Sequence, residues 1–361
     1  MTKRSYLFIL LSFWMIQSTY GQFDFTAVLP NLEGQDLLEE LEQDFKPASV
    51  FPYDIARDTM FRNVYGVNNS LSCVYTGHQV PMPLGQDPTQ VVFMGGMNGG
   101  INTEHSWPRS FGADSGKPLS DMHHLFPTRI NVNADRGVLP FSEIPDSQTD
   151  SWYFMNIEQG NIPTSNIDQY AERSGSAFEP PESMKGNIAR AMMYFKAIYP
   201  SEANQAPSDF FSGMQQTLCN WHYADPVDSL EWHRSHIIAT YQSGKVNPFV
   251  LDCTLASRAF CPGTPVACDP TVSPVREQDF IQFSFYPNPS SGRFTIQLDE
   301  SISKPLEIIL YNSMSQIVFA ESYAGIDSII NIDLRGNINS GVYWLQLNAG
   351  GKSKITSVIF E

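Results

Sequence analysis

A short part of the chain holds its densest set of basic, metal-ligating and phosphate-facing side chains. It runs through residues 102–108, 120–127 and 131–136 and includes Glu104, His105 and Asn133. The imidazole of His105, with an ordinary pKa of about 6.5, can take a proton from water. The oxygens of Glu104 and Asn133 are ligands that a hard divalent ion such as Mg²⁺ prefers. This set predicts phosphodiester hydrolysis, which needs a base, a charge sink and help for the leaving group.

Forked cations accompany these groups. The guanidinium groups of Arg109, Arg129 and Arg136 suit the geometry of a phosphate. We expect Arg109 or Arg136 to offset negative charge on the reacting phosphate. A surface ion pair with Asp114 or Asp135 is the alternative for these two arginines.

The elements that position these groups must meet one geometric condition. Consecutive residues of a regular strand face opposite sides, so Glu104 and His105 serve one site only if their strand ends or bulges there. The pattern of residues 119–126 predicts a second short strand, and Pro127 is placed to open a short helix that carries Asn133. A strand, a loop, a strand and a helix would then surround one metal ion.

Three polar residues of the second segment are expected to lie behind the site. On a strand His123 and His124 would face opposite sides, so at most one of them easily points at the metal. We expect Asp121, His123 and His124 to form supporting or core hydrogen bonds rather than to ligate the metal.

These residues carry a resemblance to a known family. The Glu-His pair before Trp107 and Pro108, the segment 120–127 (SDMHHLFP) and the segment 133–137 (NADRG) resemble the bacterial endonuclease I family of extracytoplasmic, sequence-nonspecific nucleases. The likeness covers about residues 45–253, although Leu119 stands where some members have an acidic residue.

The resemblance implies a His-Me (ββα-metal) finger and a set of roles. In that family pattern His105 is the general base, and Glu104 and Asn133 ligate one Mg²⁺, with Mn²⁺ or Ca²⁺ as alternatives. The products carry 5′-phosphates. The substrate is DNA, with RNA as a further candidate.

The charge of the chain argues against simple nucleic-acid binding. Its formal net charge is −16 over 361 residues, and most of that charge lies in the middle of the chain. A local cationic groove is one answer, formed by Arg109, Lys117, Arg129 and Arg136, and it predicts weak, salt-sensitive binding. Two other functions stay open: a phosphodiesterase for small substrates, and a non-catalytic surface protein that binds glycans or host material.

The beginning of the chain has the pattern of a secretory signal peptide, over residues 1–21. Lys3 and Arg4 precede an apolar run at residues 6–16 that is too short for a comfortable membrane span, and Gly21 lies near a cleavage position. No later stretch is long and apolar enough to predict a membrane span.

Export makes disulfides the default state of the cysteines. The odd count leaves at least one cysteine unpaired within the chain, and the pairing stays open. A zinc site is the alternative, without a Cys-x-x-Cys pair to support it. The five cysteines are Cys73, Cys219, Cys253, Cys261 and Cys268.

The C-terminal part reads as a separate module. Residues 266–282 have the composition of a linker, and residues 283–361 contain short β-rich runs that predict a β-sandwich. The segments 286–292 (YPNPSSG), 310–312 and 340–343 resemble the C-terminal sorting domain of the type IX secretion system. The resemblance implies passage through the periplasm to the medium or cell surface. A carbohydrate-binding or adhesive sandwich is the alternative.

The predicted fold is therefore α+β, with a His-Me finger nuclease domain at residues 22–265 and a small all-β sandwich after the linker. Helices are predicted at residues 37–41, 53–64, 184–198 and 228–242, and a buried strand at 91–94. Residues 139–180 are expected to form loops and short strands.

Overall fold

The computed structural model describes residues 25–67, 69–264, 268, 283–298, 306–312, 317–323, 329–349 and 352–361. The predicted signal peptide, and the predicted linker apart from Cys268, lie outside the described residues. Among the described residues, no helix has both the length and the apolar character that crossing a membrane would require.

Helices and short strands alternate up to residue 264. The helices are α1 (Gly34–Phe45), α2 (Tyr53–Thr59), α3 (Pro88–Phe93), α4 (Gly116–Ser120), α5 (Ile130–Arg136), α6 (Lys185–Ile198), α7 (Pro200–Ala203), α8 (Phe210–Ala224), α9 (Ser229–Tyr241), α10 (Pro248–Leu251) and α11 (Leu255–Ala259). A π-helical turn, Met60–Val64, continues α2. The strands are β1 (Ser70–Ser72), β2 (Gln79–Pro81), β3 (Ile101–His105), β4 (Leu125–Arg129), β5 (Ser151–Phe154), β6 (Ile157–Gln159), β7 (Ala171–Arg173) and β8 (Phe178–Glu179).

Three small antiparallel sheets and one long buried helix make up much of this part. β1 pairs with β2, β3 pairs with β4, and β5 to β8 form a sheet in the order β6-β5-β7-β8. Helix α6 is buried along nearly its whole length and contributes Ile188, Met192 and Phe195 to the core. Trp107 stacks on Phe195 with ring centroids 4.8 Å apart, so the chain just after β3 is anchored directly to this helix.

The C-terminal part is all β. Its strands are β9 (Phe283–Tyr286), β10 (Arg293–Leu298), β11 (Leu306–Tyr311), β12 (Ile317–Tyr323), β13 (Ile329–Asp333), β14 (Gly341–Ala349) and β15 (Lys352–Phe360). They form two antiparallel sheets, in the orders β13-β10-β9 and β12-β11-β14-β15. Alternating residues of both sheets, such as Ile296 and Leu345, share one hydrophobic cluster. The predicted division into a mixed part and an all-β part is confirmed.

Two disulfides join distant segments, Cys219 with Cys261 and Cys253 with Cys268, while Cys73 is buried and free. The backbone N–H of Arg129 donates to the Cys73 sulfur at 3.2 Å. The prediction of disulfides and of an unpaired cysteine is confirmed.

Several predicted elements match the structure, and one is wrong. The helices predicted near 37–41, 53–64, 184–198 and 228–242 are present, and residues 139–180 form short strands and loops. The predicted strand at 91–94 is wrong, because residues 88–93 form α3. Pro88 opens this helix, and the Asp87 carboxylate accepts from the Gln90 backbone N–H at 2.9 Å. A short apolar run fits a strand or a buried helical turn equally well, and the cap decides here.

The second segment also differs from the prediction. Instead of a strand from residue 119, α4 and a 3₁₀ turn (Met122–His124) come first, and β4 begins at Leu125. Pro127 lies inside β4, opposite Thr103, rather than at the start of a helix. A proline is tolerated there because both strands of a two-stranded sheet are edges. The helix that carries Asn133 begins three residues later, at Ile130.

Candidate functional site

The β3–β4–α5 unit positions the predicted metal ligands and base. β3 ends at His105, and its pairing with β4 is regular, with Glu104 opposite Phe126 and His105 opposite Leu125. The strand therefore ends at the residue pair, which is one of the two ways in which neighbouring side chains can serve one site. The Asn133 amide on α5 donates to Asn102 Oδ1 at 2.8 Å and to the Thr103 carbonyl at 3.0 Å, which ties the helix to β3.

Glu104 is buried and uses only one of its oxygens for internal contacts. Its Oε1 accepts from the Tyr75 hydroxyl at 3.3 Å and pairs with Arg136 Nη1 at 3.1 Å. Burial raises the pKa of Glu104 to about 7, against the lowering effects of Arg136 and Tyr75. Within the described ranges, Oε2 accepts no hydrogen bond. Oε2 is therefore left without an internal contact, although Glu104 is only 2% exposed and neither Glu104 nor Asn133 lines the cleft at His105.

The protonation of His105 follows from its surroundings. Its Nε2 lies 3.0 Å from the Leu119 carbonyl oxygen. A carbonyl only accepts, so this contact places the proton on Nε2 and leaves the lone pair on Nδ1. Burial lowers the pKa of His105 to about 3, and His124 adds to the effect. His105 is therefore a neutral imidazole at physiological pH.

A cleft of about 220 Å³ opens at this imidazole. Asn102, Thr103 and His105 line it from β3. Helix α2 contributes Tyr53 and Arg57, and the Tyr53 ring centroid lies 5.5 Å from that of His105. The predicted base thus faces open space, with a second polar wall beside it.

Arg109 lies at this cleft. Its side chain is exposed, and its guanidinium carbon lies 5.8 Å from the Tyr53 ring centroid. Neither an ion pair nor a hydrogen bond occupies its guanidinium within the part of the chain that the structure describes. The surface pair with Asp114 is not among its contacts, and the charge is available to an anion.

Arg136 is placed differently from both expectations. It is fully buried, pairs with Glu104 and donates to the carbonyls of His105 and Ser106 at 3.1 and 2.7 Å. Asp135 instead accepts from the Tyr153 hydroxyl at 2.9 Å. The guanidinium of Arg136 therefore holds the end of β3 and does not line the cleft.

The expected groove of four cations does not form around the cleft. Arg129 is buried like Arg136 and donates to the Met155 carbonyl at 3.1 Å. Lys117 lies half-buried on α4 and does not line the cleft. Packing of β4 and α5 turns the two arginines inward, so Arg109 alone of the four reaches the cleft.

Arg57, which was not predicted as a site residue, is the second cation that lines the cleft. Tyr53, Arg57 and Phe61 all line the cleft. They are four residues apart, which places them on one face of a helix. That spacing was a usable signal, since a cation among apolar residues on the face that packs inward is unusual.

Asp121, His123 and His124 form a fully buried network behind the cleft, with the His124 ring centroid 5.5 Å from that of His105. The Asp121 oxygens accept from the hydroxyls of Tyr194 and Tyr199 at 2.8 and 2.7 Å, and from the Gln242 amide and the His123 backbone N–H at 2.7 and 3.0 Å. Burial opposes ionisation of Asp121, but the neighbouring histidines and these hydrogen bonds hold its pKa below the ordinary value.

The two histidines of this network donate to backbone carbonyls. His123 Nε2 lies 2.8 Å from the Lys245 oxygen, and His124 Nε2 lies 2.6 Å from the Pro118 oxygen. Burial lowers the pKa of each imidazole to about 4. Neither ring lines the cleft.

No group of three or more His, Cys, Asp and Glu side chains is arranged to hold a metal ion in the described residues. The donor set at β3 and α5 is of another kind, a carboxylate and an amide. Glu104 Oε2 and Asn133 Oδ1 are both oxygens without a hydrogen-bond partner in the described ranges. They match the preference of a hard divalent ion, which keeps water or substrate oxygens in its remaining positions.

Comparisons with known proteins separate the two parts of the chain. Residues 284–361 match the family model of a secretion system C-terminal sorting domain. Such a domain directs the protein out of the cell, so the protein is secreted or attached to the cell surface.

The chain is also similar to extracellular ribonucleases. It is 29% identical over 169 residues to one from Bacillus subtilis and 31% identical over 169 residues to one from Bacillus amyloliquefaciens. Each alignment covers 43% of this chain and 52% of the relative, so the chain spans about half the length of these proteins. Residues 40–253, more than half of the chain, match the family model described as Endonuclease I. The chain belongs to the endonuclease I family.

Proposed function

We propose that this protein is a secreted, sequence-nonspecific endonuclease that hydrolyses phosphodiester bonds of DNA and RNA and leaves 5′-phosphates. The observation that carries the proposal is His105, a neutral imidazole at the end of β3 that lines an open cleft together with Arg109. Family membership and the likeness to the two extracellular ribonucleases support a nuclease and favour RNA among its substrates. The β3–β4–α5 unit corresponds to the proposed His-Me finger.

His105 supplies the base. Nδ1 takes a proton from a water molecule as the water oxygen attacks phosphorus in line with the departing 3′-oxygen, which takes up a proton from solvent. The proton on Nε2 stays on its hydrogen bond to the Leu119 carbonyl, which fixes the ring while Nδ1 reacts. A positioned base of this kind typically contributes about 10²- to 10⁴-fold to the rate.

Glu104 and Asn133 would hold one divalent cation, Mg²⁺ or in its place Mn²⁺ or Ca²⁺. The residues fit, since each offers an oxygen without an internal partner and a nearby cation favours the ionised form of a buried carboxylate. When bound, such an ion would supply charge stabilisation to the reacting phosphate. Arg136 keeps Glu104 in place from behind through its contact at 3.1 Å.

The cleft explains how an acidic chain could bind a polyanion. The guanidinium of Arg109 contacts the phosphate locally and stabilises negative charge as the bond breaks. A nuclease without sequence readout needs only backbone contacts of this kind, so weak and salt-sensitive binding is sufficient.

The remaining parts serve export. The proposed domains are a signal peptide at 1–21, the catalytic domain at 22–265, a linker at 266–282 and the sorting domain at 283–361. The proposed partners are the type IX secretion machinery, during export, and the nucleic-acid substrate.

Cleavage of supercoiled plasmid, an RNA transcript and a small chromogenic phosphodiester, with and without EDTA, tests the function. The wild type should cleave both nucleic acids and lose activity with EDTA, and His105→Ala should lose about 10²-fold or more. His78→Ala is a matched control, because the half-buried imidazole of His78 does not line the cleft and lies 3.0 Å from the Gly99 carbonyl oxygen.

The same experiment separates the alternatives. Cleavage of the chromogenic diester alone would indicate a small-molecule phosphodiesterase, and no cleavage of any substrate would indicate a binding protein. Near-normal plasmid cleavage by a folded His105→Ala protein would remove the proposed base.

A further inference from the structure

The wall of the cleft that α2 and α3 form holds a cation that the mechanism does not use. The Arg57 guanidinium carbon lies 4.8 Å from the Tyr53 ring centroid, so the charge packs over the ring. Its Nε is buried and has no hydrogen-bond partner. Across the described ranges no carboxylate pairs with this guanidinium. A buried donor without a partner is costly unless a ligand completes it.

The neighbouring acid does not neutralise Arg57. Asp58 instead accepts from the Thr89 hydroxyl at 2.7 Å and from its backbone N–H at 3.3 Å. Thr89 is on α3, so these contacts join the two helices of the wall and engage Oδ1 of Asp58. Arg57 and Arg109 therefore present two positive charges to one cleft, and both lie near the ring of Tyr53.

The same wall carries an exposed aromatic ring. Phe93, the last residue of α3, lines the cleft although 52% of its surface is exposed. Met94 and Met97, which follow it, are 79% and 55% exposed. Single exposed apolar residues are common on proteins. An aromatic face beside two guanidinium groups is the combination with which proteins bind single-stranded nucleic acid, through base stacking and backbone charge.

We propose that the α2–α3 wall is a subsite for one unpaired nucleotide next to the cleaved bond, with Arg57 on its phosphate and Phe93 on its base. This inference rests on the proposed nuclease function and deepens it, because it names the substrate class. Bases inside a duplex have no free face for Phe93, whereas unpaired bases of RNA or single-stranded DNA do. The enzyme should therefore prefer single strands and single-stranded regions of RNA.

Binding measurements in EDTA, where the proposed metal-dependent cleavage is blocked, test the subsite. The probes are a fluorescently labelled oligothymidylate and a labelled hairpin duplex, followed by anisotropy over a range of salt concentrations. Phe93→Ala should weaken oligothymidylate binding about tenfold, and by much less for the hairpin, since one stacked base typically accounts for roughly five- to hundredfold. Met94→Ala, a neighbour that does not line the cleft, is the matched control and should bind as the wild type does.

Arg57→Gln should act through charge. It should weaken binding of both probes and lower the slope of log affinity against log salt by about 0.7 for the single strand, as expected for one lost phosphate contact. Arg293→Gln removes an equal charge from the exposed surface of the sorting domain, 63% exposed, and should leave the slope unchanged. Circular dichroism of each variant confirms that it is folded.

The outcomes distinguish failure of this subsite from failure of the proposed nuclease function. If the wild type cleaves nucleic acid but Arg57→Gln and Phe93→Ala bind both probes as it does, the subsite is refuted and the nuclease stands. Equal weakening of both probes by Phe93→Ala would also refute the base contact. If the wild type neither binds nor cleaves either probe with metal present, the proposed function and the subsite fail together.

Discussion

Two buried carboxylates, Glu104 and Asp121, occupy neighbouring parts of the same motif but differ in how completely they are bonded. Asp121 accepts four hydrogen bonds, two on each oxygen. Glu104 has contacts on one oxygen only. The pKa of Asp121 is lowered and that of Glu104 is raised to about 7, although burial acts on both in the same direction. Unused bonding capacity, rather than burial, separates a candidate ligand from a structural carboxylate.

The three histidines of the motif also differ in their contacts rather than in their burial. His105, His123 and His124 are all buried, all have lowered pKa values, and each places Nε2 against a backbone carbonyl. A shifted pKa therefore does not distinguish the base from its neighbours. His105 differs because its ring lines the cleft, while the Nδ1 atoms of His123 and His124 are buried without a partner.

Removal of the saturated carboxylate should give the largest effect in this comparison. Asp121→Ala leaves two tyrosine hydroxyls, an amide and a backbone N–H without an acceptor, and should lower the free energy of unfolding by about 3 to 5 kcal/mol. Chemical denaturation followed by tryptophan fluorescence measures the loss. The exposed Asp114→Ala is the control and should change stability by less than about 0.5 kcal/mol. A stable Asp121→Ala protein without nuclease activity would instead place Asp121 in the catalytic site.

The pH dependence of stability should sharpen the contrast among the histidines. His123 has a pKa of about 4 in the folded protein, against about 6.5 when unfolded. Between these values the unfolded chain binds more protons, so the contribution of His123 is complete above pH 6.5 and is lost as pH falls towards 4.

His123→Gln keeps an N–H for the Lys245 carbonyl but does not titrate. The difference in unfolding free energy between wild type and variant should therefore shift by about 2 to 3 kcal/mol in favour of the variant as pH falls from 7 to 4. Denaturant melts at several pH values give this difference. A difference that stays constant with pH would mean that His123 titrates normally in the folded protein.

The proposed metal ligands, whose oxygens have no internal partner, are tested at Asn133. Helix α5 also carries Asn131, which provides a control. Asn133→Ala removes the proposed amide ligand and should raise the Mg²⁺ concentration for half-maximal cleavage by at least about tenfold, as loss of a supporting group at a metal site does. Asn131→Ala removes the same side chain, whose amide contacts Glu158 at 3.3 Å on the surface, and should leave the Mg²⁺ requirement unchanged. An equal requirement in both variants would exclude Asn133 as a ligand.

The sequence predicts features that depend on neighbouring residues better than features that depend on contacts between distant parts of the chain. The order of strand, strand and helix around Glu104, His105 and Asn133 follows from local pattern. The inward turn of Arg136 does not, because Asp135 beside it offered a nearer partner and only the packing of α5 under β3 selects Glu104.

The position of Arg57 in the cleft could not be predicted either. Its spacing with Tyr53 and Phe61 predicts one helical face, but the sequence does not say that this face meets the end of β3 more than 40 residues later. The structure of residues 119–126 was also predicted incorrectly. The Asp121 carboxylate accepts from the His123 backbone N–H and starts a 3₁₀ turn where a strand was expected.

The smallest effect is expected at Arg109, the exposed member of the cleft. Arg109→Gln should leave the free energy of unfolding within about 0.5 kcal/mol, since its guanidinium stabilises no described neighbour beyond the face of Tyr53. Cleavage at low salt should fall about tenfold, as one charge-assisted phosphate contact implies, and the variant should be less sensitive to added salt. Arg335→Gln, which breaks an exposed pair with Asp333, controls for net charge. If Arg109→Gln instead unfolds readily and its salt dependence matches the wild type, the cation belongs with the structural group of the comparison, and the phosphate must be held by Arg57 and the metal alone.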